Sequence, residues 1–170
     1  ARTMSRRLRP WLCAALLCAL LGSALAQHRG LKLHVPSPDW RDQVIYFVLT
    51  DRFDDGNSRN NEQGLGEHDP RQGHKYSGGD IEGIRRRLDY VQALGATAVW
   101  LTPPVLNQWH DTTHGFWGYH GYWASHFKRM DPHVGTLADY QRLSDALHRR
   151  GMYLVQDVVV NHTGNFFRYD

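Results

Sequence analysis

Three short apolar runs, separated by two helical patterns, set the strongest limit on how this chain can fold. The runs cover residues 44–50 (VIYFVLT), 97–102 (TAVWLT) and 152–160 (MYLVQDVVV). Each run is rich in β-branched and aromatic residues and almost continuous in hydrophobicity, which is typical of strands covered on both faces of a parallel sheet. We therefore predict three parallel strands.

The two segments between these runs carry the helical period of 3.6 residues. Gly95 ends the first helical pattern and Gly151 ends the second, while Thr136 and Asp139 form a start signal for the second helix. The apolar positions are Ile81, Ile84, Leu88 and Val91 in the first helix and Leu137, Tyr140, Leu143 and Leu147 in the second. The order β-α-β-α-β predicts an α/β fold with right-handed crossovers.

Two long insertions follow the first two strands, at residues 51–79 and 103–135. Both therefore begin at the carboxyl ends of predicted parallel strands. In α/β folds this edge of the sheet is where binding and catalytic residues lie.

The start of the chain has the layout of a secretory signal peptide. After Met4, a stretch with three arginines precedes an apolar run at residues 11–21 and a small-residue cleavage site that ends at Ala26. The run is shorter than the ~20 residues that a membrane helix requires. We therefore interpret residues 1–26 as upstream residues and a signal peptide. This predicts a secreted protein, extracellular or periplasmic, without a stable membrane anchor.

Removal of the signal peptide changes the charge balance. The whole chain has 20 Lys and Arg residues, 17 Asp and Glu residues and a formal net charge of +3, but four arginines lie within residues 1–26. The remaining 16 basic and 17 acidic residues nearly cancel, so we expect no nucleic acid as a partner. Both cysteines, Cys13 and Cys18, lie in the same segment. Residues 27–170 therefore have no disulfide framework.

Oxygen-bearing side chains crowd the start of the first insertion. Asp55, Asn57, Asn60 and Asn61 lie within seven residues around Gly56. A hard cation such as Ca²⁺ takes about 6 to 8 oxygen ligands from carboxylates, amides and backbone carbonyls. Asp, Asn and Gly also favour ordinary surface turns, and the spacing differs from that of an EF-hand. The spacing alone therefore leaves calcium binding and an Asx-rich turn both open.

The second insertion is rich in aromatic residues and histidines. Flat rings beside imidazole and hydroxyl groups suit the apolar faces and polar edges of sugars, although the same rings also suit the core of a packed loop. Zinc is a further alternative, but the segment has neither an HExxH motif nor cysteine ligands. The residues are Trp109, Phe116, Trp117, Tyr119, Tyr122 and Trp123, with His110, His114 and His120.

The third apolar run ends in polar residues, with Asp157, Asn161 and His162 at the predicted carboxyl edge. A carboxylate in an apolar strand is costly to bury unless it has a partner. Its structural alternative is a strand-end group that caps nearby backbone amides. Three polar clusters at one edge favour a functional site.

These motifs together resemble the α-amylase superfamily, glycoside hydrolase family 13, which includes bacterial α-amylases and cyclodextrin glucanotransferases. The similarity extends in order from Trp40 to His162, and DVVVNH resembles the first conserved region of the family. The matching segments are VIYFVLTDRF, YSGGDIEGI, TAVWLTPP, GYHGYWASHFKRMDPHVGT and LHRRGMYLVQDVVVNH.

The resemblance implies that the chain holds the N-terminal three βα units of a (β/α)8 TIM barrel, which is incomplete. Residues 27–39 form an extension of the mature protein, residues 40–163 the partial barrel, and residues 164–170 the start of a protruding second domain. An open sheet of three strands exposes a pairing edge. We therefore expect this piece alone to be poorly folded.

The resemblance also implies four substrate-binding residues. Tyr122 would stack on the glucose beside the scissile bond, and His162 would hydrogen-bond to the same glucose. His120 and Trp123 would contact neighbouring sugars. Asp157 would support the site by pairing with an arginine on a later strand.

Calcium is the cofactor that the resemblance implies. In the first insertion the implied ligands form one set, and Asn161 would bind a second calcium shared with the protruding domain. Asp80 is in addition the expected N-cap of the first helix. Family members commonly have a disulfide near this loop, which residues 27–170 lack. The first set consists of Asp55, Asn57, Asn60, Asn61, Gly78 through its carbonyl, and Asp80.

Retaining glycosidases use two carboxylates about 5 Å apart, one as nucleophile and one as acid/base. In the family both lie on later strands, beyond Asp170, so the resemblance implies no catalytic residue within this chain. It implies a secreted enzyme for retaining hydrolysis or transfer of α-1,4-glucosidic bonds in starch or maltodextrin, of which this piece alone is inactive. The alternative is a non-catalytic carbohydrate-binding protein on the same scaffold.

Overall fold

The computed structural model describes residues 37–166, so the predicted signal peptide lies outside the described residues. Two 3-10 helices, at Trp40–Asp42 and Thr50–Arg52, flank the first strand. The other elements, in chain order, are β1 (Ile45–Val48), α1 (Ile81–Arg86), α2 (Leu88–Ala93), β2 (Ala98–Leu101), β3 (Val105–Asn107), β4 (His110–Asp111), β5 (Phe116–Trp117), β6 (Ala124–Met130), α3 (Leu137–Arg149) and β7 (Tyr153–Gln156). In this part of the chain, no helix is long and apolar enough to cross a membrane.

The main sheet has three parallel strands in the order β1-β2-β7. Ala98 of the central strand pairs with Ile45 on one side and with Tyr153 on the other. Helices α1 and α2 connect β1 to β2, and α3 precedes β7. The predicted β-α-β-α-β order and the α/β fold are therefore confirmed.

The helices cover one face of this sheet. Val48, Val99 and Leu101 are buried there, because they pack against the apolar stripes of the helices. On the other face Phe47 and Trp100 are partly exposed, and their rings meet edge to face at 5.0 Å. The helix residues of the core are Ile81, Ile84, Leu88, Val91, Leu143, Ala146 and Leu147.

The third helix begins as predicted. The Thr136 hydroxyl accepts a hydrogen bond from the Asp139 amide, and the Asp139 carboxylate accepts one from the Thr136 amide, which completes a capping box. Gly151, just beyond the helix, has a φ of 69°. A positive φ favours glycine because other residues place a Cβ against the backbone there.

The first helical segment differs from the prediction of one continuous helix. It is divided at Arg87, whose amide donates to both Gly83 O and Ile84 O, at 3.2 and 3.1 Å. A shared bond of this kind tightens the turn and interrupts the regular α-helical ladder. The Arg87 side chain also pairs with Asp54 of the first insertion at 2.9 Å.

The third strand is shorter than predicted and ends at Gln156, not at residue 160. Its partner β2 ends at Leu101 and is followed by Pro103 and Pro104. Proline has no amide hydrogen, so the ladder cannot continue along that edge. Val160 is therefore 91% exposed instead of buried in a strand.

The second insertion contains four strands that the sequence patterns did not predict. Strands β3 and β6 pair in an antiparallel sheet, and β4 pairs with β5 in a separate hairpin. The β3–β6 pairing includes shifts in register, so the sequence lacks the regular alternation of a simple hairpin. These strands position the aromatic residues of the insertion.

Helix α1 and the backbone of the first insertion approach each other closely at Gly83. A Cβ at this position would lie 1.8 Å from the carbonyl oxygen of Asp54. Alanine is the better helix former by about 1 kcal/mol. We nevertheless expect Gly83→Ala to lower the free energy of unfolding by about 1–3 kcal/mol, because the backbones must move apart.

Urea unfolding of the protein as its gene encodes it measures this effect. Gly73→Ala is the matched control, since no atom lies within 4 Å of a Cβ built there. We expect the control to change stability by less than about 0.5 kcal/mol. Equal stability of the two variants would contradict the close approach.

Candidate functional site

Tyr122 lies at the centre of the polar groups beyond the carboxyl ends of the strands. Its hydroxyl donates to Asp157 Oδ2 at 2.9 Å, and the same oxygen accepts from Trp100 Nε1 at 3.2 Å. The backbone carbonyl of Tyr122 accepts a hydrogen bond from His162 Nε2 at 3.1 Å. The structure therefore brings together Tyr122, Asp157 and His162, which the resemblance assigned to one site.

His120 and Trp123 join this group from the same segment. The Nδ1 atom of His120 accepts a hydrogen bond from the Tyr122 amide at 3.0 Å. The imidazole contacts the Trp123 ring edge to face, with 4.5 Å between centroids. Burial lowers the pKa of His120, so the ring is neutral and its proton is on Nε2. The Nε2–H group is therefore the hydrogen-bond donor of this ring.

The surroundings of the Tyr122 hydroxyl also determine its protonation state. Burial, together with the hydrogen bond to Asp157, raises the pKa of Tyr122 to about 12. The hydroxyl therefore keeps its proton at neutral pH and continues to donate to the carboxylate. Trp123 and His162 line an adjoining cavity of about 230 Å³. Its other lining residues are Gln108, Asp111, Thr163 and Asn165.

Other aromatic residues of the insertion serve in packing. Trp117 is buried and stacks on His110, with 4.1 Å between ring centroids. Trp109 donates its indole N–H to Asp131 at 3.0 Å. The packed-loop alternative describes Trp117, which is buried, whereas Trp109, Tyr122 and Trp123 are all partly exposed.

The three histidines considered as zinc ligands have separate partners. His110 stacks on Trp117, His114 Nδ1 lies 2.6 Å from an oxygen of Asp111, and His120 bonds to Tyr122. Within residues 37–166, no three His, Cys, Asp or Glu side chains form a group that could hold a metal ion. The described residues therefore offer no support for a zinc centre.

The oxygen-rich residues of the first insertion surround the start of helix α1. Asp55 Oδ2 accepts from Asn61 Nδ2 at 2.7 Å, and Asp80 accepts from the Asn57 amide at 2.9 Å. Asp80 also accepts from the Gly83 amide at 2.7 Å, which confirms it as the N-cap. Gly78 packs closely on Asn61: a Cβ built on Gly78 would lie 2.7 Å from the side-chain nitrogen Nδ2 of Asn61.

This cluster fits a hard cation. The side-chain oxygens of Asn60 and Asn61 are buried and have no hydrogen-bond partner in the described part of the chain. Burial raises the pKa of Asp80, although hydrogen bonds from backbone amides oppose this effect. Ca²⁺ takes carboxylate and amide oxygens as ligands, and in this set the oxygens of Asn60 and Asn61 are the ones without a protein donor in the described residues. Asn161, the seventh predicted ligand, is exposed and adjoins His162 in the chain.

A buried charged cluster that the sequence patterns did not indicate joins the two insertions. His133 Nδ1 lies 2.9 Å from Asp131 Oδ1, and its Nε2 lies 3.0 Å from Glu67 Oε1. The ring of Tyr76 stacks on the imidazole with 4.0 Å between centroids. Asp131 and His133 belong to the matched segment MDPHVGT, but Glu67 lies 66 residues away and in no motif.

The two carboxylates keep His133 charged. Burial by itself lowers the pKa of His133, but hydrogen bonding and attraction to Asp131 and Glu67 outweigh it and raise the pKa above its ordinary value. For Glu67, burial acts to raise the pKa, while hydrogen bonds from Gln63, His133 and Leu65 lower it overall. We therefore describe His133 as an imidazolium between two carboxylates.

The raised pKa of His133 makes stability depend on pH. Its contribution is complete below the ordinary histidine pKa of 6.5 and is lost as pH rises through the raised folded value. The lowered pKa of Glu67 acts at the other end, since its contribution is lost as pH falls below the ordinary value of 4.5. We expect the free energy of unfolding to fall as pH rises above about 6.5.

Denaturant unfolding at a series of pH values measures this dependence. His133→Gln should remove most of the loss on the alkaline side, whereas His114→Gln, at an exposed histidine, should retain it. The same pH dependence in the His133→Gln variant as in the unmodified protein would contradict the charged state of His133.

A parallel α/β sheet with aromatic and histidine side chains at its carboxyl edge has the arrangement in which α/β proteins place their ligand sites. Residues 47–170 match the profile of the alpha-amylase catalytic domain. The chain therefore belongs to the alpha-amylase family, glycoside hydrolase family 13.

Individual relatives agree with this assignment. A cyclomaltodextrin glucanotransferase of Klebsiella oxytoca is 40% identical over 128 residues, which cover 74% of this chain and 20% of the relative. An alpha-amylase of Saccharomycopsis fibuligera is 37% identical over 158 residues, which cover 89% of this chain and 30% of the relative. The crystal structure of an Anoxybacillus alpha-amylase aligns with a TM-score of 0.64 and 43% identity, over 75% of this chain and 26% of that one. The chain thus spans less than a third of the length of these relatives.

Proposed function

We propose that this sequence is part of a secreted glycoside hydrolase that hydrolyses or transfers α-1,4-glucosidic bonds in starch or maltodextrins, with retention of configuration. The observation that carries the proposal is the position of Tyr122. Its ring lies beyond the ends of the parallel strands, held by Asp157 through the hydroxyl and by His162 through the backbone carbonyl. A tyrosine held through its hydroxyl and its backbone carbonyl presents a preorganised ring surface to the apolar face of a sugar.

The neighbouring side chains supply polar contacts to the same ligand. His120 offers an Nε2–H donor, because its other nitrogen accepts the Tyr122 amide. Trp123 adds a second ring, and both Trp123 and His162 line the adjoining cavity. Aromatic surfaces with a few fixed hydrogen-bonding groups are the usual composition of a sugar-binding site.

Asp157 acts as a supporting residue in this proposal. Within residues 37–166, Asp157 accepts hydrogen bonds from Tyr122 and Trp100 on the same oxygen, and both donors are neutral. It therefore orients the Tyr122 ring. We assign the nucleophile and the acid/base, which retaining hydrolysis requires as a closely spaced pair, to sequence outside residues 1–170.

The domain organisation follows from the same proposal. Residues 1–26 would direct export, residues 27–39 would form an extension, residues 40–163 would form the first three βα units of a TIM barrel, and residues 164–170 would begin a protruding domain. The three parallel strands and their two helical connections support this assignment. An α-glucan is the proposed partner.

The activity of the protein as its gene encodes it tests the assigned site. We expect Tyr122→Ala to lower kcat/KM for the release of reducing ends from maltodextrin on the order of 100-fold, because the sugar loses its positioning surface. Phe116→Ala is the control, since this half-exposed ring lies on the β4–β5 hairpin. We expect the control to change kcat/KM by less than about twofold.

Two outcomes would contradict the proposal, one for the role of Tyr122 and one for the catalytic activity. Equal losses in the two variants would show that Tyr122 has no special position in the site. Binding of maltodextrin without release of reducing ends by the unmodified protein would favour the non-catalytic binding protein instead.

We propose that the oxygen-rich cluster of the first insertion binds Ca²⁺. Asp55, Asn57, Asn60, Asn61 and Asp80 would supply side-chain oxygens and Gly78 its carbonyl, while Asn161 would bind a second calcium. The unpaired, buried oxygens of Asn60 and Asn61 support the first set. The described part of the chain pairs neither Asp55 nor Asp80 with a basic side chain, which leaves their charge for a cation.

Removal of calcium should destabilise the protein. At a free concentration of 100 times the dissociation constant, a bound ion contributes about 2.7 kcal/mol. We therefore expect a chelator to lower the melting temperature by several degrees, and Asp55→Ala to reduce this effect. Asp69→Ala is the control, because Asp69 lies in the same insertion but pairs with Arg71. A melting temperature that does not depend on the chelator would contradict the calcium site.

A further inference from the structure

A small buried cavity lies between the two insertions, beneath the turn at residues 118–121. Its volume is about 10 Å³. Tyr76 of the first insertion and Asn107 at the end of β3 both line it, together with Gly118 and Asp131. The turn above the cavity carries Tyr119 and His120 and leads directly into Tyr122.

Tyr76, one of the residues that line this cavity, has an unpaired hydroxyl. The side chain is 3% exposed, and its hydroxyl has no hydrogen-bond partner within residues 37–166. Burial, reinforced by the negative charges of Asp131, Asp51 and Glu67, raises the pKa of Tyr76. The hydroxyl therefore keeps its proton and remains a donor.

Asn107, a second residue that lines the cavity, has an unpaired acceptor. It is 6% exposed, and its Nδ2 atom donates to the carbonyl of Gly118 at 2.9 Å. Because a carbonyl only accepts hydrogen bonds, this contact defines which end of the amide is nitrogen. The other end, Oδ1, is therefore a true acceptor, and it has no partner in the described residues.

Two unpaired polar groups at one cavity are costly. Each buried group left without a hydrogen bond destabilises a folded protein by about 1–3 kcal/mol, yet one group here is a donor and the other an acceptor. A cavity holds a water molecule once its volume reaches roughly 10–15 Å³ and it offers at least two polar partners. The volume and the two partners both meet these limits.

We propose that this cavity binds one structural water molecule, which accepts a hydrogen bond from Tyr76 Oη and donates one to Asn107 Oδ1. The cavity is too small for a sugar or an oxyanion. A metal or ammonium ion could contact the lone pairs of Tyr76 Oη, but it would leave the hydroxyl proton buried without an acceptor. Water can accept the hydrogen bond of Tyr76 and donate one to Asn107, since it has two donors and two acceptor sites.

The water connects the first insertion to the turn that precedes the sugar-binding residues. Gly118 O accepts from Asn107 Nδ2 and also from the Gly121 amide, at 3.1 Å. Gly121 itself packs so closely on Pro103 that a Cβ would lie 2.5 Å from its carbonyl oxygen. A hydrogen bond that holds Asn107 in place therefore also stabilises the turn at residues 118–121. This inference does not depend on the proposed function.

A high-resolution crystal structure of the protein as its gene encodes it tests the proposal. We expect one ordered density peak within hydrogen-bonding distance of both Tyr76 Oη and Asn107 Oδ1. In Tyr76→Phe the peak should disappear. Tyr140→Phe, which removes a hydroxyl bonded to Gln156, is the matched control and should retain it. A dry cavity in the unmodified protein, or a peak that persists in Tyr76→Phe, would overturn the proposal.

Amide hydrogen exchange gives an independent measurement in solution. Loss of the water should accelerate exchange at the amides of Gly118 and Gly121 by about tenfold in Tyr76→Phe, which corresponds to one lost buried hydrogen bond. The Tyr140→Phe control should exchange as the unmodified protein does. Equal rates in the two variants would overturn the support of the turn by this water.

Discussion

A buried imidazolium between two carboxylates joins parts of the chain that are distant in sequence. Glu67 belongs to the first insertion, whereas Asp131 and His133 follow the last strand of the second. Asp131 also accepts the amide of Asn107 and the indole N–H of Trp109. Three buried charges are tolerated because nearly every lone pair and proton has a partner. Removal of one member leaves the others uncompensated, so the positions of both insertions depend on this cluster.

The insertions in turn place Tyr122 and its neighbours at the edge of the sheet. Parallel strands bring their carboxyl ends to one side, which explains why Asp157, after β7, meets Tyr122 from an insertion that follows β2. Arg52, beyond β1, adds a third connection, since its guanidinium lies 3.8 Å from the ring centroid of Tyr119. Its N–H groups also bond to Ser77 and to the carbonyl of Lys75. Residues beyond all three strand ends therefore contact the segment that carries Tyr119 and Tyr122.

Local sequence patterns were sufficient for the core of the fold. The apolar runs placed β1, β2 and β7, and the capping residues placed the start of α3, because both signals act between near neighbours in the chain. The predicted end of β7 was wrong, because the observed end depends on Pro103 and Pro104, which follow the neighbouring strand β2. The division of the first helix at Arg87 was also missed, because it accompanies a contact with Asp54.

The site was less predictable from local pattern than the core. The residues around Tyr122 were indicated through the family resemblance, and spacing alone did not separate them from packing aromatics such as Trp117. Glu67 and Tyr76 carry no local signal of their roles, because a buried network is defined by partners far apart in sequence. The unpaired oxygens of Asn60 and Asn61 likewise emerge only in three dimensions.

The hydrogen bond from Trp100 to Asp157 has a consequence for spectroscopy. Trp100 is 38% exposed on the open face of the sheet, and its indole nitrogen shares one carboxylate oxygen with Tyr122. Indole emission responds to charge and hydrogen bonding at that nitrogen. Trp100 thus contributes one component of the tryptophan emission that depends on the carboxylate bonded to Tyr122.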